Sequence, residues 1–173
     1  LQHFTSLISS EIERIDDLIN NFLVIARPPR LNLLTIELHN LLENIINIHQ
    51  ANAKSKKIKI IRHFAKEEIY GNFDENQLKQ VIGNLITNSF DAMPDGGEIN
   101  IYTHLFIRNL NNKQTRFCQI EFRDTGSGIP DKYMSEIFNM YFTTKKTGTG
   151  LGLAIAKQII ESHEGQIYIH SQN

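Results

Sequence analysis

The sequence predicts an α+β fold: a two-layer α/β sandwich in which helices lie over a mixed sheet, preceded by a long coiled-coil-like helix. Apolar residues recur at helical spacing in four segments, and pairs of short strand-like segments separate the last three. Glycine-rich loops interrupt the second half of the chain. Helices and strands mixed in this order are typical of an α+β domain with a helical extension.

The first helix is predicted over residues 4–22, where apolar residues recur every three or four positions. This spacing is the seam of a two-helix or four-helix bundle, and Pro28 and Pro29 end the helix. A stripe this narrow cannot be buried without partner helices. We therefore expect a homodimer formed through this helix. The alternative is a helix packed on its own domain. Because the helical pattern already runs at Leu1, we expect the chain to be a piece of a longer protein.

A capping residue and a change from helical to alternating spacing predict the next three elements. Thr35 is expected to cap a helix that continues to about Ala53. Alternating residues then predict short strands at 57–61 and 68–72.

A second long helix and the remaining elements complete the domain. Asp74 and Gln77 form a capping pair that opens a helix to about Met93. The later elements are expected as strands at 99–107 and 117–122 around a polar hairpin loop at 109–112, a helix at 151–162 that stops at Gly165, and a last strand at 166–170. We therefore expect a helical segment at 1–27, a linker at 28–34 and an α+β domain at 35–173.

Composition excludes several classes of function. The 173 residues include 18 Lys and Arg against 19 Asp and Glu, a formal net charge of −1, so a nucleic-acid partner is not expected. The single cysteine, Cys118, can form neither an internal disulfide nor a Cys-based zinc site, which favours a reducing, cytoplasmic location. No run of about 18 apolar residues occurs, so membrane attachment is expected, if at all, only through regions outside this chain.

The helix predicted at 74–93 has one polar and one apolar wall. At 100° per residue, Gln80, Asn84, Asn88 and Asp91 fall within one narrow stripe, and the apolar residues fall opposite. Amide and carboxylate oxygens suit a hard cation such as Mg²⁺, which takes few protein ligands and completes its shell with phosphates and water. The alternative is an ordinary solvated face.

A glycine-rich loop at 124–130 follows a predicted strand. Its glycines let the backbone approach a flat ligand, and Asp124 at the strand end is able to accept a hydrogen bond from an exocyclic amine. An ordinary turn is the alternative. The string beginning at Asp124 also occurs in aspartic proteases, but that chemistry needs a second carboxylate motif, and the sequence holds no second copy.

A second glycine-rich segment, 143–153, leads into the last predicted helix. Glycines in front of a helix leave its first amides able to meet an anion, and Lys145 and Lys146 lie just upstream. The order of lysines and glycines is not that of a P-loop, and the glycine spacing is not that of a dinucleotide fingerprint.

In this order the segments resemble the ATP-binding domain of sensor histidine kinases, of the superfamily that includes gyrase, heat-shock chaperones and MutL and has a Bergerat-type ATP-binding fold. The resemblance rests on an asparagine box at 84–93, a first glycine box at 124–128, a phenylalanine box at 137–145 and a second glycine box at 148–153. Residues 143–145 and 148–153, together with 91–93, are similar to those of the nitrogen-regulation and sporulation-kinase subgroup.

The resemblance implies ATP and Mg²⁺ as cofactors. Asn84, Asn88 and Lys145 would be the catalytic residues, with Asn88 as the magnesium ligand, Asn84 beside the triphosphate and Asp124 on the adenine amino group. A mobile lid is implied over residues 132–149. The residues implied to contact the nucleotide are Asn84, Asn88, Asp91, Asp124, Gly126, Gly128, Ile129, Phe138, Phe142, Thr143, Thr144, Lys145, Gly148, Thr149, Gly150, Leu151, Gly152 and Leu153.

The implied reaction transfers the γ-phosphate of ATP to a histidine, from which it passes to an Asp of a response regulator receiver domain. Residues 1–27 resemble the second helix of the dimerisation hairpin, and the first helix, which carries the acceptor histidine, is expected to be missing, as is part of the last strand. None of the seven histidines fits the acceptor pattern, although Glu164 follows His163, so we expect no autophosphorylation. The alternatives are a nucleotide-binding module without kinase activity and a gyrase- or MutL-type ATP hydrolase, whose catalytic Glu is replaced here by Asn84.

Overall fold

The structure, a computed structural model, describes residues 31–110, 113–145 and 148–171, together with Ile12. The helix expected at 1–27 and most of the linker therefore lie outside the described residues, apart from Ile12, which is helical and exposed. The contacts divide the chain into one unit containing 32–134 and 169–173 and another containing 1–31 and 135–168.

Strands and helices are mixed along the described chain. In order they are β1 (Leu34–Glu37), α1 (Leu38–Ser55), β2 (Ile58–His63), β3 (Tyr70–Phe73), α2 (Glu75–Ala92), β4 (Gly97–Leu110), β5 (Lys113–Asp124), a 3₁₀ turn (Asp131–Tyr133) and α3 (Gly152–Ser162).

The strands form two sheets. The larger has the order β2-β4-β5, with β2 parallel to β4 and β4 antiparallel to β5, so it is the mixed sheet that the sequence predicts. The smaller pairs β1 with β3, antiparallel, with Leu34 opposite Phe73. The pairs β1–β3 and β2–β4 each bring together segments that a helix separates in sequence, whereas β4 and β5 are consecutive.

The core of the unit 32–134 lies between two helices and the larger sheet. α1 contacts both α2 and β2. The side chains of Leu42, Ile86 and Ile99, one each from α1, α2 and β4, are 0% exposed. His49 of α1 lies edge-on to Phe90 of α2, with 6.2 Å between ring centroids, and burial lowers the pKa of His49. The α+β prediction, with helices over a mixed sheet, is confirmed.

The predicted cap of α1 is wrong. Thr35 lies in β1, and the cap is Glu37, whose carboxylate accepts hydrogen bonds from the amides of His39 at 3.0 Å and Asn40 at 2.6 Å. Burial would raise the pKa of Glu37, but hydrogen bonds from Asn40, His39 and Ile69 and the nearby His39 ring outweigh it and hold the pKa below its ordinary value. The helix starts later than predicted because 34–37 pairs with β3.

The predicted start of α2 is confirmed, whereas β4 and β5 differ from their predicted bounds. Asp74 caps α2 and accepts from the Gln77 amide at 3.1 Å, as predicted. β4 and β5 are longer than predicted and leave only residues 111–112 between them. α3 agrees with its prediction, but the residue in the left-handed conformation at its end is Glu164 (φ 58°), and the amide of Gly165 donates to the Ile160 carbonyl at 2.8 Å.

The strand predicted at 166–170 is wrong. Side-chain exposure does alternate there, with Tyr168 and His170 exposed and Ile167 and Ile169 half-buried, but no strand is assigned in this described stretch. Alternation reports which side chains are covered, whereas a strand also requires a neighbouring strand for its backbone. No helix among the described residues is both long and apolar enough to cross a bilayer.

Candidate functional site

The polar wall of α2 has the arrangement that its sequence predicts. Asn84 and Asn88, one turn apart, are half-buried, while Ile82 and Ile86 on the other wall are buried. Asp91 continues the polar wall at the exposed end of the helix, where its Oδ1 lies 3.8 Å from the Nζ of Lys56. The helix therefore carries two half-buried amides and one exposed carboxylate along its polar wall.

Asp124, the last residue of β5, is held by two donors. Its Oδ2 accepts a hydrogen bond from the Ser89 hydroxyl at 2.8 Å, and its Oδ1 accepts one from the Gly126 amide at 3.0 Å. Each carboxylate oxygen keeps a further lone-pair direction for a donor from a ligand. Because Ser89 lies in α2, this bond joins the asparagine box directly to the first glycine box.

The loop after Asp124 lies against the end of α2. The Ser127 amide donates to the Ala92 carbonyl at 3.1 Å, and a Cβ at Gly126 would lie 2.6 Å from the Cβ of Ala92. Gly128 has φ +70°, a conformation that disfavours side chains. Ile129 donates its amide to the Ser171 hydroxyl at 2.7 Å. These contacts explain why glycine occupies 126 and 128.

Ser89 is the site residue that the sequence reasoning missed. The helical projection places it on the apolar wall of α2, and its side chain is 5% exposed. A buried hydroxyl needs a hydrogen-bonding partner. A serine at a predicted core position was therefore the signal that could have pointed to this contact.

In the unit that contains 135–168, the phenylalanine box and the second glycine box lie against each other. Gly150 has φ +68°, and a Cβ there would clash with the carbonyl carbon of Tyr141. Tyr141 is itself left-handed, with φ 66°. The Phe142 amide donates to the Asn139 carbonyl at 3.2 Å, and the ring of Phe138 has the Lys157 Nζ 5.6 Å from its centroid.

The segment that leads into α3 is bent back on itself. The Lys145 amide donates to the Thr143 hydroxyl at 3.1 Å, and a Cβ at Gly148 would lie 2.5 Å from that hydroxyl oxygen. The side chains of Thr143, Thr144 and Lys145 are exposed. Lys146 and Thr147 lie outside the described residues.

α3 begins within the second glycine box. Its cap residue, the buried Leu151, supplies no side-chain hydrogen bond, although its own amide donates to the Thr149 hydroxyl at 3.4 Å. Gly152 and Leu153, the first residues of the helix, are half-buried. The start of a helix favours negative charge near its first amides.

Within each unit, the structure thus joins predicted site residues. In one it joins α2 to Asp124 and the glycines that follow it, and in the other it joins the phenylalanine box to Gly148 and Gly150. Across residues 31–110, 113–145 and 148–171, no group of three or more His, Cys, Asp or Glu side chains is placed to hold a metal ion.

Comparison with known proteins points to one family. The family model described as histidine kinase-, DNA gyrase B-, and HSP90-like ATPase matches residues 73–173. Sporulation kinase A of Bacillus subtilis (strain 168) is 33% identical over 171 residues, which are 98% of this chain and 27% of that protein. The chain therefore corresponds to about a quarter of that relative's length.

Two solved structures share the fold. The nucleotide-free catalytic domain of histidine kinase ThkA has a TM-score of 0.66 and 26% identity, and the similarity covers 76% of this chain and 81% of that one. Histidine kinase ThkA in complex with the response regulator protein TrrA has a TM-score of 0.72 and 22% identity, over 94% of this chain and 44% of that one. At the latter identity the likeness concerns the fold alone.

Proposed function

Because the chain belongs to the family of histidine kinase-, DNA gyrase B- and HSP90-like ATPases and has the fold of a histidine kinase catalytic domain, we propose that it binds ATP and transfers the γ-phosphate to a histidine. The observation that carries the proposal is the hydrogen bond from Ser89 to Asp124. It fixes a carboxylate against α2, the helix that carries the amide stripe, within the residues that the family model matches.

In the proposed site, each box has a separate task. Asp124 accepts a hydrogen bond from the adenine amino group, while Ser89 and the Gly126 amide hold its carboxylate in place. Lys145 binds phosphate as a mobile cation, and the backbone amides around Gly150 bind phosphate through the charge at the start of α3. Asn84 lies beside the triphosphate. The remaining proposed contacts are Asp91, Gly128, Ile129, Phe138, Phe142, Thr143, Thr144, Gly148, Thr149, Leu151, Gly152 and Leu153.

The donor set on α2 fits magnesium. Mg²⁺ usually takes one or two protein oxygens and completes its shell with phosphates and water. Half-buried Asn88 offers one such oxygen, and the described residues hold no cluster of carboxylates that would bind the ion without a nucleotide. Bound there, magnesium would neutralise charge on the phosphates during transfer.

The proposal also includes the phosphate acceptor and the binding partners of the whole protein. ThkA binds a response regulator, and we extend that partnership to this chain, with an Asp of a receiver domain as the final phosphate acceptor. Residues 1–27 would form a homodimer as the second helix of a dimerisation hairpin. Hydrolysis is less well supported than transfer, because Asn84 occupies the position of the hydrolase Glu and offers no base for water.

The test is transfer to a supplied acceptor. The chain is incubated with magnesium and γ-labelled ATP together with a separately produced acceptor hairpin from a related sensor kinase. We expect acid-labile label on the hairpin histidine, and none when Asn88→Ala replaces the parent chain. Asn76→Ala changes an exposed asparagine of the same helix and should behave as the parent.

Calorimetry separates binding from transfer. Asn88→Ala should weaken magnesium-ATP binding by at least about tenfold, since a contact to a charged group typically contributes about 1.5–3 kcal/mol. Equal affinities in Asn88→Ala and Asn76→Ala would contradict the assignment of Asn88. Tight binding without labelled hairpin would reduce the chain to a nucleotide-binding module, and release of free phosphate instead of transfer would indicate a hydrolase.

A further inference from the structure

The outer half of the β4–β5 hairpin, residues 104–110 of β4 and 113–119 of β5, extends beyond the core. Along one face of β4, the exposed fraction of the side chain is 0% at Ile101, 1% at Thr103 and 60% at Ile107. Because alternate residues of a strand share a face, this rise marks the place where the covering layer ends. The pairing of β4 with β5 nevertheless continues to Leu110 and Lys113.

The β4 edge of this outer half lacks a neighbouring strand among the described residues. β2 ends at His63, opposite Tyr102. Over residues 104–110, β4 is paired with β5 on one side, and no strand in the described part of the chain pairs with the other side.

Backbone hydrogen bonds show which residues face the open edge. The Gly97 amide donates to the Lys57 carbonyl on the β2 side, whereas the Glu98 carbonyl accepts from the Thr125 amide on the β5 side. Odd-numbered residues of β4 therefore turn their polar groups toward β2 and even-numbered ones toward β5. The register with β5 is unbroken, so the amides and carbonyls of 105, 107 and 109 face the open edge.

The hairpin also has a charge of its own. Residues 99–120 contain Arg108, Lys113 and Arg116 and no Asp or Glu, in a chain whose net charge is −1. On the even-numbered face, Phe106 and Phe117 stack with centroids 5.8 Å apart, and the Arg108 guanidinium lies 5.1 Å from the Phe106 centroid. The open edge therefore lies on a basic and partly apolar ribbon.

A shallow cavity lies where β2 leaves the edge of β4. Its volume is about 450 Å³, and Phe64, Thr103 and Leu105 line it together with His104. One cation and one carboxylate, Lys66 and Glu67, complete the charged part of its lining. A strand added along β4 would start beside this cavity, which has room for one of its side chains.

We propose that the open edge of β4 over 104–110 binds an extended acidic segment of a partner protein, which adds to the sheet as a further strand. Backbone hydrogen bonds to the open edge would supply affinity, and the cations would select acidic side chains. A second copy of this hairpin is a poorer occupant, because it would bring two sets of like charges together. An unpaired strand edge can otherwise pair with unrelated chains, and a specific partner bound there would prevent such pairing.

The probe is a blocked seven-residue peptide that alternates Glu and Val, compared with the same peptide carrying Lys in place of Glu. Titrated into the ¹⁵N-labelled full chain, the acidic peptide should shift the amide resonances of Leu105, Ile107 and Asn109 and slow their hydrogen exchange. The Lys peptide should leave them unchanged.

Two pairs of variants locate the contact. Ile107→Pro removes an amide that faces the open edge while sparing the β5 ladder, and should weaken the acidic peptide by about tenfold or more relative to Ile107→Ala. Arg108→Glu should weaken it as well, whereas Lys54→Glu makes the same charge change on an exposed residue of α1 and should not. Spectra of the unbound variants show whether each is folded.

Three outcomes would overturn the proposal. The acidic peptide binds no better than the Lys peptide, or fails to bind; Ile107→Pro binds it as well as Ile107→Ala does; or the chain self-associates in light scattering and Ile107→Pro abolishes that association, which would assign the edge to a second copy.

Discussion

Ser89 does a task that its neighbours on α2 do not. It lies on the buried wall of the helix with Ile82 and Ile86, yet its hydroxyl donates to the Asp124 carboxylate. A buried hydroxyl without a partner would cost about 1–3 kcal/mol, so the carboxylate also satisfies the serine. In the proposed function Ser89 acts on the nucleotide only through Asp124, as a positioning residue.

Replacing Ser89 by Ala should therefore affect binding more than folding. We expect magnesium-ATP affinity to fall about three- to tenfold, because Asp124 keeps only the Gly126 amide as a donor, while the free energy of unfolding falls by about 1 kcal/mol. Calorimetry and urea unfolding measure the two effects. Thr87→Ala is the matched control, since the Thr87 hydroxyl donates to the Gly83 carbonyl of its own helix. Unchanged affinity in Ser89→Ala would remove the serine from the site.

The sequence predicted part of this arrangement and not the rest. Helical periodicity correctly placed Asn84 and Asn88 on the polar wall. The bond between Ser89 and Asp124 joins residues 35 positions apart and depends on how β5 packs beside α2. Periodicity describes one element at a time, so it carries no information on such a contact.

At the scale of elements, the start of α1 is decided by strand pairing. Thr35 has a good capping side chain, but its hydroxyl donates to Asn72 of β3 at 2.9 Å. Glu37, one residue before the helix, then accepts from the first amides of α1. A pairing partner 37 positions away therefore overrides the local capping preference.

We expect Glu37→Ala to lower the free energy of unfolding by about 1 kcal/mol near neutral pH, as loss of a cap does. Thr35→Ala should cost less than about 0.5 kcal/mol, as is usual for exposed residues. Because the pKa of Glu37 is lowered in the folded chain, its contribution is present above the ordinary glutamate value and is lost as the pH falls through the lowered one.

Chemical unfolding of the parent and both variants at about pH 7 and about pH 3 measures this effect. The gap between the parent and Glu37→Ala should narrow at the lower pH. A larger loss in Thr35→Ala than in Glu37→Ala would restore the cap that the sequence predicted. The pH comparison with Thr35→Ala excludes a general acid effect, because threonine does not titrate.

At the scale of the whole molecule, four ordered boxes predicted the fold better than any single element did. The family match begins at residue 73, just before the cap of α2, and includes every box. The strand order β2-β4-β5 was not predictable from the sequence, because the alternation of apolar and polar residues along a strand does not indicate which strands lie beside it. A net charge of −1 is compatible with the proposed phosphate site, which would depend on helix amides, magnesium and Lys145 rather than on excess basic residues.

The seven histidines bear on whether the chain can phosphorylate itself. Acceptor histidines of sensor kinases are followed by an acidic residue, and only His163 of the seven histidines meets that condition. His163 is the residue that ends α3, and its Nδ1 is 2.8 Å from the Ile159 carbonyl, so this nitrogen carries a proton and donates. It is better explained as a helix-end residue than as a phosphate acceptor.

The chain incubated alone with magnesium and γ-labelled ATP should therefore acquire no acid-labile phosphate. A reaction with the acceptor hairpin added is the positive control for active protein and nucleotide. If acid-labile label does appear on the chain, His163→Gln locates it: loss of the label in that variant would make His163 an acceptor, and persistence would assign the label to another histidine. Either result would contradict the prediction that phosphoryl transfer by this chain requires a histidine supplied from elsewhere.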